Sequence, residues 1–598
     1  MAGKNKNILE FIYIKLKPYR HLTQYIPFVF LLFFVFSFLY KSDFSFNQDL
    51  GLHLKLGQII FTTGIVPKIN LFSYTNPSFT FVNHHWLFEV FAYVSSISVG
   101  LQALLILKIL IILFCAAVIL MLSKRTKSAF FVPGAFIFFH LLRERTDFRP
   151  EIFSFLFTVL TIYILEDFER KNSKLIYFLP IVMLVWTNTH IYFPVGIFII
   201  FVFWADLLFR KFYLKQPEVL DKLKKLSIVA GASVLVTLIN PNFITGALYP
   251  FTVFNNYGVT ITENQTIFTL QNIHFVSPDF LFFYISAIIV IASIYISFFR
   301  KGFSIKNTLL CLLGLGLAFQ SIRGFPYLVL ISLPYVLLNF NYTVSNIWIK
   351  AVNVIVVILI VFEAYFYLSG IYYGLTYEPY LPTLNLVQDE KQATDFVLEH
   401  NLPQPIFNNF DTGSYFIYRS FPKYRVFVDE RPEAYPASFF TNVYNPMQEN
   451  YSDFKKVEKR YGFKTIFFTI TDQNPRALKF LNAVTKDPSW KIVYLDQYMM
   501  VMVKSNLQKS MNLKTVDLTK LKISDFKYSK VTAYTNLSTF LFNLHYYKEA
   551  KIFNEKALAI NPGNPAANKA MAYILFALDP SDSRITGYLS KSQNWVFW

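Results

Sequence analysis

The chain has 598 residues, of which 54% are hydrophobic, 19% aromatic and only 16% charged, with a net charge of +19. So little charge excludes a soluble protein of this size. The positive balance does not point to nucleic acid, because Lys and Arg sit mostly in breaks between apolar segments, where the positive-inside rule accounts for them. Residues 25–372 are nearly all apolar with short polar breaks, and residues 385–598 read as ordinary globular sequence. The pattern is that of a multi-span membrane half followed by a soluble half.

Lys4, Lys6, Lys15, Lys17 and Arg20 precede the first apolar run, and no small-residue cleavage site follows. This predicts an uncleaved anchor with its N-terminus in the cytoplasm. A first span over Tyr25 to Tyr40 then delivers the stretch from Asp49 to Glu89 to the outer face. That loop is long and holds Asp49, His53, His84, His85 and Glu89, with Gly57, Gly64 and Pro67 as turn formers. Asp49 and His53 are four apart, so on a helix they share a face, with Leu52, Leu56, Ile59 and Ile60 toward the other. The alternation of Leu50, Leu52, Leu54 and Leu56 fits a strand equally well. A surface helix with a merely wet polar face is the plain alternative. His84, His85 and Glu89 open the next apolar run, where they suit a divalent metal or a phosphate-bearing substrate. Capping at the membrane interface, with Trp86 as belt residue, is the structural alternative.

The run from Trp86 to Leu122 is too long for one span and short for two, with Gly100 as the natural turn. Beyond it, basic breaks at Lys124–Lys127, Glu169–Lys171, Arg210–Lys211 with Lys222–Lys225, and Arg300–Lys301 assign themselves to the cytoplasm. Breaks at Arg143–Glu151, Trp186–His190, Asn240–Asp279 and Arg323 then fall outside, with the Asp49 loop and the C-terminal half. About eleven to thirteen spans result, the last over Ala351 to Tyr372. Arginines at the outer face run against the charge bias. Arg143, Arg145, Arg149 and Arg323 therefore suggest phosphate binding, which guanidinium does bidentately; pairing with Glu144 and Asp147 is the alternative. His190 ends a span and can line the same cavity. Cys115 and Cys311 lie inside apolar segments and have no metal-ligand spacing.

In the soluble half, Gln392–Glu399 reads as helix. Pro405–Asn408, Tyr415–Tyr418, Arg425–Val428, Lys464–Ile470 and Ile492–Val503 read as strands of a small α/β domain. Asp429 and Arg431 follow a strand as a fold-stabilising ion pair. Between residues 530 and 580 the pattern of Tyr547, Ala550, Ala557 and Pro562 resembles a tetratricopeptide repeat. One or two such units must pack on the preceding domain.

Three motifs in the outer loop carry a wider resemblance. They are D-x-x-x-H-x-x-x-G at Asp49, His53 and Gly57; G-x-x-P-x-x-N-x-F-S-Y-T from Gly64 to Thr75; and H-x-W-L-x-E at His84, Trp86, Leu87 and Glu89. Arg149-Pro150, Trp186-x-Asn188-x-His190, Asn240-Pro241, Arg323, Asn409-x-x-x-Gly413-x-Tyr415 and Val426–Tyr435 extend it to about residue 505. The set resembles bacterial membrane glycosyltransferases of the GT-C type, related to protein mannosyltransferases and aminoarabinose transferases. Many relatives carry an acid where this chain has Asn70 and His85. The resemblance implies a polyprenyl-phosphate sugar donor on the outer leaflet of the cytoplasmic membrane. It puts the catalytic role on Asp49, with His53 and Glu89 beside it, and substrate contacts on His84, His85, Arg149, His190 and Arg323. It also implies a divalent cation, Mg or Mn, with Asp49 and Glu89 as ligands. The resulting division is a membrane domain over 1–380 with its catalytic-type loop at 41–86, an extracytoplasmic α/β domain over 381–510, and a helical tail over 511–598 that offers a protein-binding surface. The rival reading is a catalytically silent membrane scaffold. A transporter fits less well, since no inverted repeat of broken spans is present.

Overall fold

The structure is a computed structural model. It describes residues 25–592 apart from 125–127, 129, 254–256, 274, 276, 300–302, 341–346, 377 and 522–529. The basic N-terminus, Arg125, Lys127, Arg300 and Lys301 lie outside the described residues. The first apolar segment forms helix α1 (Ile26–Leu39). The Asp49 stretch forms α2 (Leu50–Thr63), which Gly64 closes at φ +69°, a conformation that costs glycine little. The run that followed is two helices, α3 (Trp86–Val99) and α4 (Gln102–Lys124), with Gly100 at φ +87° between them. Helices α5 (Glu151–Lys171) and α6 (Leu179–Thr189) pack against each other and enter the same core.

Among the described residues four helices are long and apolar enough to cross a bilayer: Gln102–Ser123, Asp279–Phe298, Ile322–Asn339 and Ala351–Leu368. A fifth candidate, Pro217–Leu238 with Phe243–Phe251, is bent by 113°. This is fewer than the expected eleven to thirteen. Other apolar segments, such as Ile26–Leu39, Trp86–Val99 and Ile305–Gln320, form helices of only 10–17 residues. Helix α5 carries six charged residues, at Glu151 and in Glu166–Lys171, so it fails on charge rather than length.

The soluble part contains a four-stranded sheet in the order β1-β2-β4-β3, with β1 (Ile406–Asn408), β2 (Thr465–Thr469), β3 (Trp490–Leu495) and β4 (Met499–Lys504). β1 runs parallel to β2 and the other pairs are antiparallel. Two sequence expectations fail here. Residues 415–418 are helical, inside α7 (Gly413–Ser420). A remote carboxylate decides this: Glu430 Oε1 accepts from the Ser414 N–H at 3.0 Å, meeting one orphan donor of the helix N-terminus. Residues 425–428 join no sheet, because their backbone is claimed elsewhere. Val426 N–H donates to Phe72 O (3.0 Å), and Asn408 bonds Phe427 N–H and Val428 O. Four further helices follow: α8 (Lys530–Asn543), α9 (Tyr547–Ile560), α10 (Pro565–Leu578) and α11 (Arg584–Ser592). As the sequence requires, they do not stand alone: Leu537, Phe540 and Leu541 share a core with Phe468, Phe480 and Trp490 of the sheet region.

Helix α2 joins the two halves. Leu50 and Leu54 are buried in the core of the apolar helices, while Leu52 and Leu56 are buried with Phe416 and Ile417 of α7. The third face of α2 carries Asp49, His53 and Gly57, and it meets α3. A Cβ on Gly57 would lie 2.0 Å from the backbone oxygen of Glu89. The backbones therefore touch where only glycine fits. Gly57→Ala is expected to lose about 1–3 kcal/mol through overpacking and to lower the thermal unfolding midpoint in detergent. Gly231→Ala, where nothing stands within 4 Å of the added carbon, is expected to leave the midpoint unchanged or slightly raised.

Candidate functional site

One cavity of about 280 Å³ lies between the helical half and the sheet half, lined by residues of both. Asp49, His53, His84, His85, Arg149, His190 and Arg323 all line it, so seven residues singled out from sequence come together. Glu89 stands behind His53, 1% exposed.

The lower wall is cationic and already paired. Arg149 donates to Asp49 Oδ2 at 2.6 Å and to Glu263 at 2.9 and 3.0 Å. Arg323 donates to Glu263 at 2.6 Å, and Arg145 bridges Glu263 and Glu151, both at 2.6 Å. Three guanidiniums thus share one carboxylate. Burial favours a neutral Glu263, but Arg145, Arg149 and Arg323 outweigh it and hold the group well below the usual carboxylate range. Burial is likewise overcome at Asp49, by Arg149 and His53, so this carboxyl is held low too. The expected pairing of the arginines with Glu144 and Asp147 gives way to these partners, and Arg143 turns elsewhere, to Asp279 at 2.7 Å.

A second wall is built of rings. His53 Nδ1 lies 3.2 Å from Glu89 Oε1, and Asn83 donates to the other Glu89 oxygen at 2.7 Å. His53 Nε2 is 3.9 Å from Asp49, beyond hydrogen-bond reach. His84 and His85 pack at 3.8 Å between ring centroids, and His190 stacks on His85 at 5.4 Å. His190 is steered by Ser154 at 2.6 Å, which Trp186 Nε1 holds in turn at 2.7 Å. Burial lowers the His84 imidazole to about 4, and takes His85 and His190 well below their ordinary value. These rings are neutral at pH 7. Trp86 and Asn188, two more motif positions, hydrogen-bond at 2.7 Å and tie α3 to α6.

The upper wall comes from the sheet half: Phe410, Asp411, Glu430, Arg431, Pro432 and Glu433. Arg431 forms the expected ion pair with Asp429, at 2.9 and 2.8 Å. Its Nη2 also reaches Asn70 Oδ1 at 3.1 Å. Asn70 is fully buried; it accepts from the Phe72 and Ser73 N–H groups and donates to Ala434 O at 3.0 Å. An amide meets both demands here, one as donor and one as acceptor, where an ionised acid would meet only the second. Asn70 therefore fastens the outer loop to the sheet half and stays out of the cavity.

Among the described residues no three His, Cys, Asp or Glu side chains stand together as metal ligands. Asp49 spends one oxygen on Arg149 and Glu89 spends both on His53 and Asn83. Of these two carboxylates only Asp49 has an oxygen, Oδ1, buried without a partner, and one free oxygen beside a guanidinium does not fit a hard divalent ion, which seeks several. Positive charge at these carboxylates is supplied by arginine.

Glu263, Glu430 and Glu433 escaped the sequence reading. Glu263 carried one usable signal, a single acid in the long outer break from Asn240 to Asp279. Glu433 carried none beyond its closeness to Arg431.

The sequence matches no family profile and no curated protein. Among solved structures, the archaeal oligosaccharyltransferase AglB from Archaeoglobus fulgidus, in complex with an inhibitory peptide and a dolichol-phosphate, superposes with a TM-score of 0.51 at 12% sequence identity, covering 78% of this chain and 71% of that chain. The oligosaccharyltransferase of the same organism tethered to an acceptor peptide gives 0.49 at 12% identity, over 76% and 70%. The first likeness is one of fold. The chain shares the overall fold of that oligosaccharyltransferase. Kinship with mannosyltransferases or aminoarabinose transferases is a finer question on which this similarity does not bear.

Asn70→Ala strips partners from buried Arg431 and Ala434 O. It is expected to cost about 1–3 kcal/mol, read as a lower unfolding midpoint.

Proposed function

We propose that this protein is a membrane glycosyltransferase that moves a sugar from a polyprenyl-phosphate-linked donor onto an acceptor at the outer face of the cytoplasmic membrane. The observation that carries the proposal is the convergence of Arg145, Arg149 and Arg323 on one point of a cavity beside apolar helices. Three guanidiniums in a shielded site match a phosphate better than they match one carboxylate. An arriving donor phosphate replaces Glu263 as their shared partner, and the same groups then stabilise the charge that grows on the leaving phosphate. Asp49 acts as an anchor: its Oδ2 aims Arg149, and its unpartnered Oδ1 is left for a sugar hydroxyl. An apolar hollow lined by Trp86, Leu87, Leu184 and Val185 lies beside the ring wall, suited to the lipid end of the donor. That AglB was solved with a dolichol-phosphate and a peptide is consistent with a lipid-linked substrate here. In this reading residues 1–380 form the membrane domain with its loop at 41–86, and 381–510 and 511–598 lie on the outer side with the cavity. The N-terminus is cytoplasmic.

The tail supports a second role, as a binding surface. Its helices pack in consecutive pairs, α8 against α9 and α10 against α11, the helix-turn-helix arrangement of a tetratricopeptide unit. Ile552, Tyr573 and Phe576 of α9 and α10 are about half exposed. A silent scaffold would use this surface alone.

The test is binding and turnover by the full chain in detergent. Arg149→Ala and Arg323→Ala are each expected to weaken binding of polyprenyl phosphate at least tenfold, since a charge-assisted pair is worth about 1.5–3 kcal/mol. Asp49→Ala is expected to abolish sugar transfer and leave folding intact. A wild-type protein with no affinity for polyprenyl phosphate would sink the proposal. Unchanged assembly of a partner complex in the Asp49→Ala variant would favour the scaffold.

A further inference from the structure

Transfer to a hydroxyl needs a group that takes its proton, and the carboxylates of the helical half are spent. Asp49 is bound to Arg149, Glu151 to Arg145, and Glu263 to three guanidiniums. A carboxylate held by guanidinium is a poor base, because the pairing that keeps it charged also lowers its proton affinity. In the sheet half, Glu430 accepts from the Ser414 N–H with one oxygen and keeps the other buried without a partner, and Asp411 lines the same cavity from an exposed position, its carboxyl also raised to about 7.

Glu433 differs from the helical-half carboxylates in having no guanidinium bound to it and from Asp411 in being half-buried, and its one hydrogen bond is to its own backbone N–H. It sits in the single turn Pro432–Ala434 and lines the cavity from the sheet half. Among the described residues no side chain hydrogen-bonds it or forms an ion pair with it. The nearest cation, Arg431, is committed to Asp429 and Asn70. The charged and titratable groups that face Glu433 are Arg431 and Asp429 of its own segment, His53 of α2, and Tyr249 and Tyr257 of the outer segment after Asn240. Tyr257, Glu433 and Arg323 line the same cavity.

We infer that Glu433 is the catalytic base that receives the proton of the acceptor hydroxyl, an assignment that rests on the glycosyl-transfer reading. The acceptor oxygen forms a bond to the anomeric carbon as its proton passes to a Glu433 carboxylate oxygen. The bond from that carbon to the donor phosphate oxygen breaks, and its electrons stay on the phosphate, which the arginines hold. Nucleophile and leaving group lie on opposite walls, so the anomeric configuration inverts. Burial raises the Glu433 carboxyl to about 7, which suits a base working near neutral pH. A base must be ionised, so the rate rises as pH passes upward through about 7.

The experiment uses the full chain in detergent, a panel of polyprenyl-phosphate hexoses and pentoses with radioactive sugars, and membranes of the source cell as acceptor. Glu433→Gln is expected to lower kcat by about 10²–10⁴, leave the donor KM within twofold, and erase the rising limb near pH 7. Glu433→Asp recovers part of the rate. Arg149→Ala instead raises the donor KM. In parallel, a hydrophobic carbodiimide should label wild-type Glu433, mapped by mass spectrometry, with a midpoint near pH 7. A Glu433→Gln enzyme with wild-type kcat and an unchanged pH limb overturns the assignment and leaves glycosyl transfer standing. Labelling confined to pH below about 5 overturns it as well, since that is ordinary carboxylate behaviour. A wild-type protein that consumes no donor of the panel overturns both.

Discussion

The architecture depends on one helix held from three sides. Helix α2 buries Leu50 and Leu54 in the apolar bundle, buries Leu52 and Leu56 in the sheet half, and presses Gly57 onto the backbone of α3. No face is left to water along most of its length. A side chain on such a helix has little freedom, because turning it would pull apolar groups from two cores at once. Asp49 and His53 inherit that rigidity. The site is thus aimed by hydrophobic packing at Leu50–Leu56, and its polar contacts only refine the aim.

Charge is distributed unevenly across the cavity. On the helical side every carboxylate meets a guanidinium or an imidazole, so burial costs little there. On the sheet side Glu430 and Glu433 are half-buried, and loss of solvent pushes both upward, Glu430 well above the carboxylate range. The two walls therefore differ in function as well as in sign. One wall keeps fixed charges in fixed places. On the other, Glu433 is raised to about 7, within the working range of a cell.

Much of this could be read from the residues, and the misreadings have a common cause. Asp49, His53 and Gly57 at intervals of four marked a helical face, and the structure puts His53 and Gly57 against α3 and Asp49 against Arg149. The leucine alternation that also suggested a strand has a helical explanation: residues two apart on a helix differ by about 200°, so a helix squeezed between two cores shows a period of two. Residues 415–418 and 425–428 were misread because partners far away in sequence decided them, Glu430 for the first, Phe72 and Asn408 for the second. Glu433 was illegible for the same reason. A carboxylate shows its role only through what surrounds it, and among the described residues no cation is paired with Glu433. Asn70, which breaks the expected acidic pattern, turned out to serve the joint between the halves.

That joint has a consequence for biosynthesis. The outer loop closes on the sheet half through Asn70–Arg431, Asn70–Ala434 and the pairing of Phe72 with Val426, contacts that span more than 350 residues. Chains emerge from the ribosome N-terminus first. A nascent chain that has inserted all its apolar helices still lacks the roof of its cavity, and its loop has no partner until residues 426–434 follow. During that interval the arginine wall lies open and Asp49 and His53 stand on a helix with one of its two cores missing. Completion of the cavity is therefore tied to synthesis of residues 426–434, and a product truncated before them lacks its upper wall.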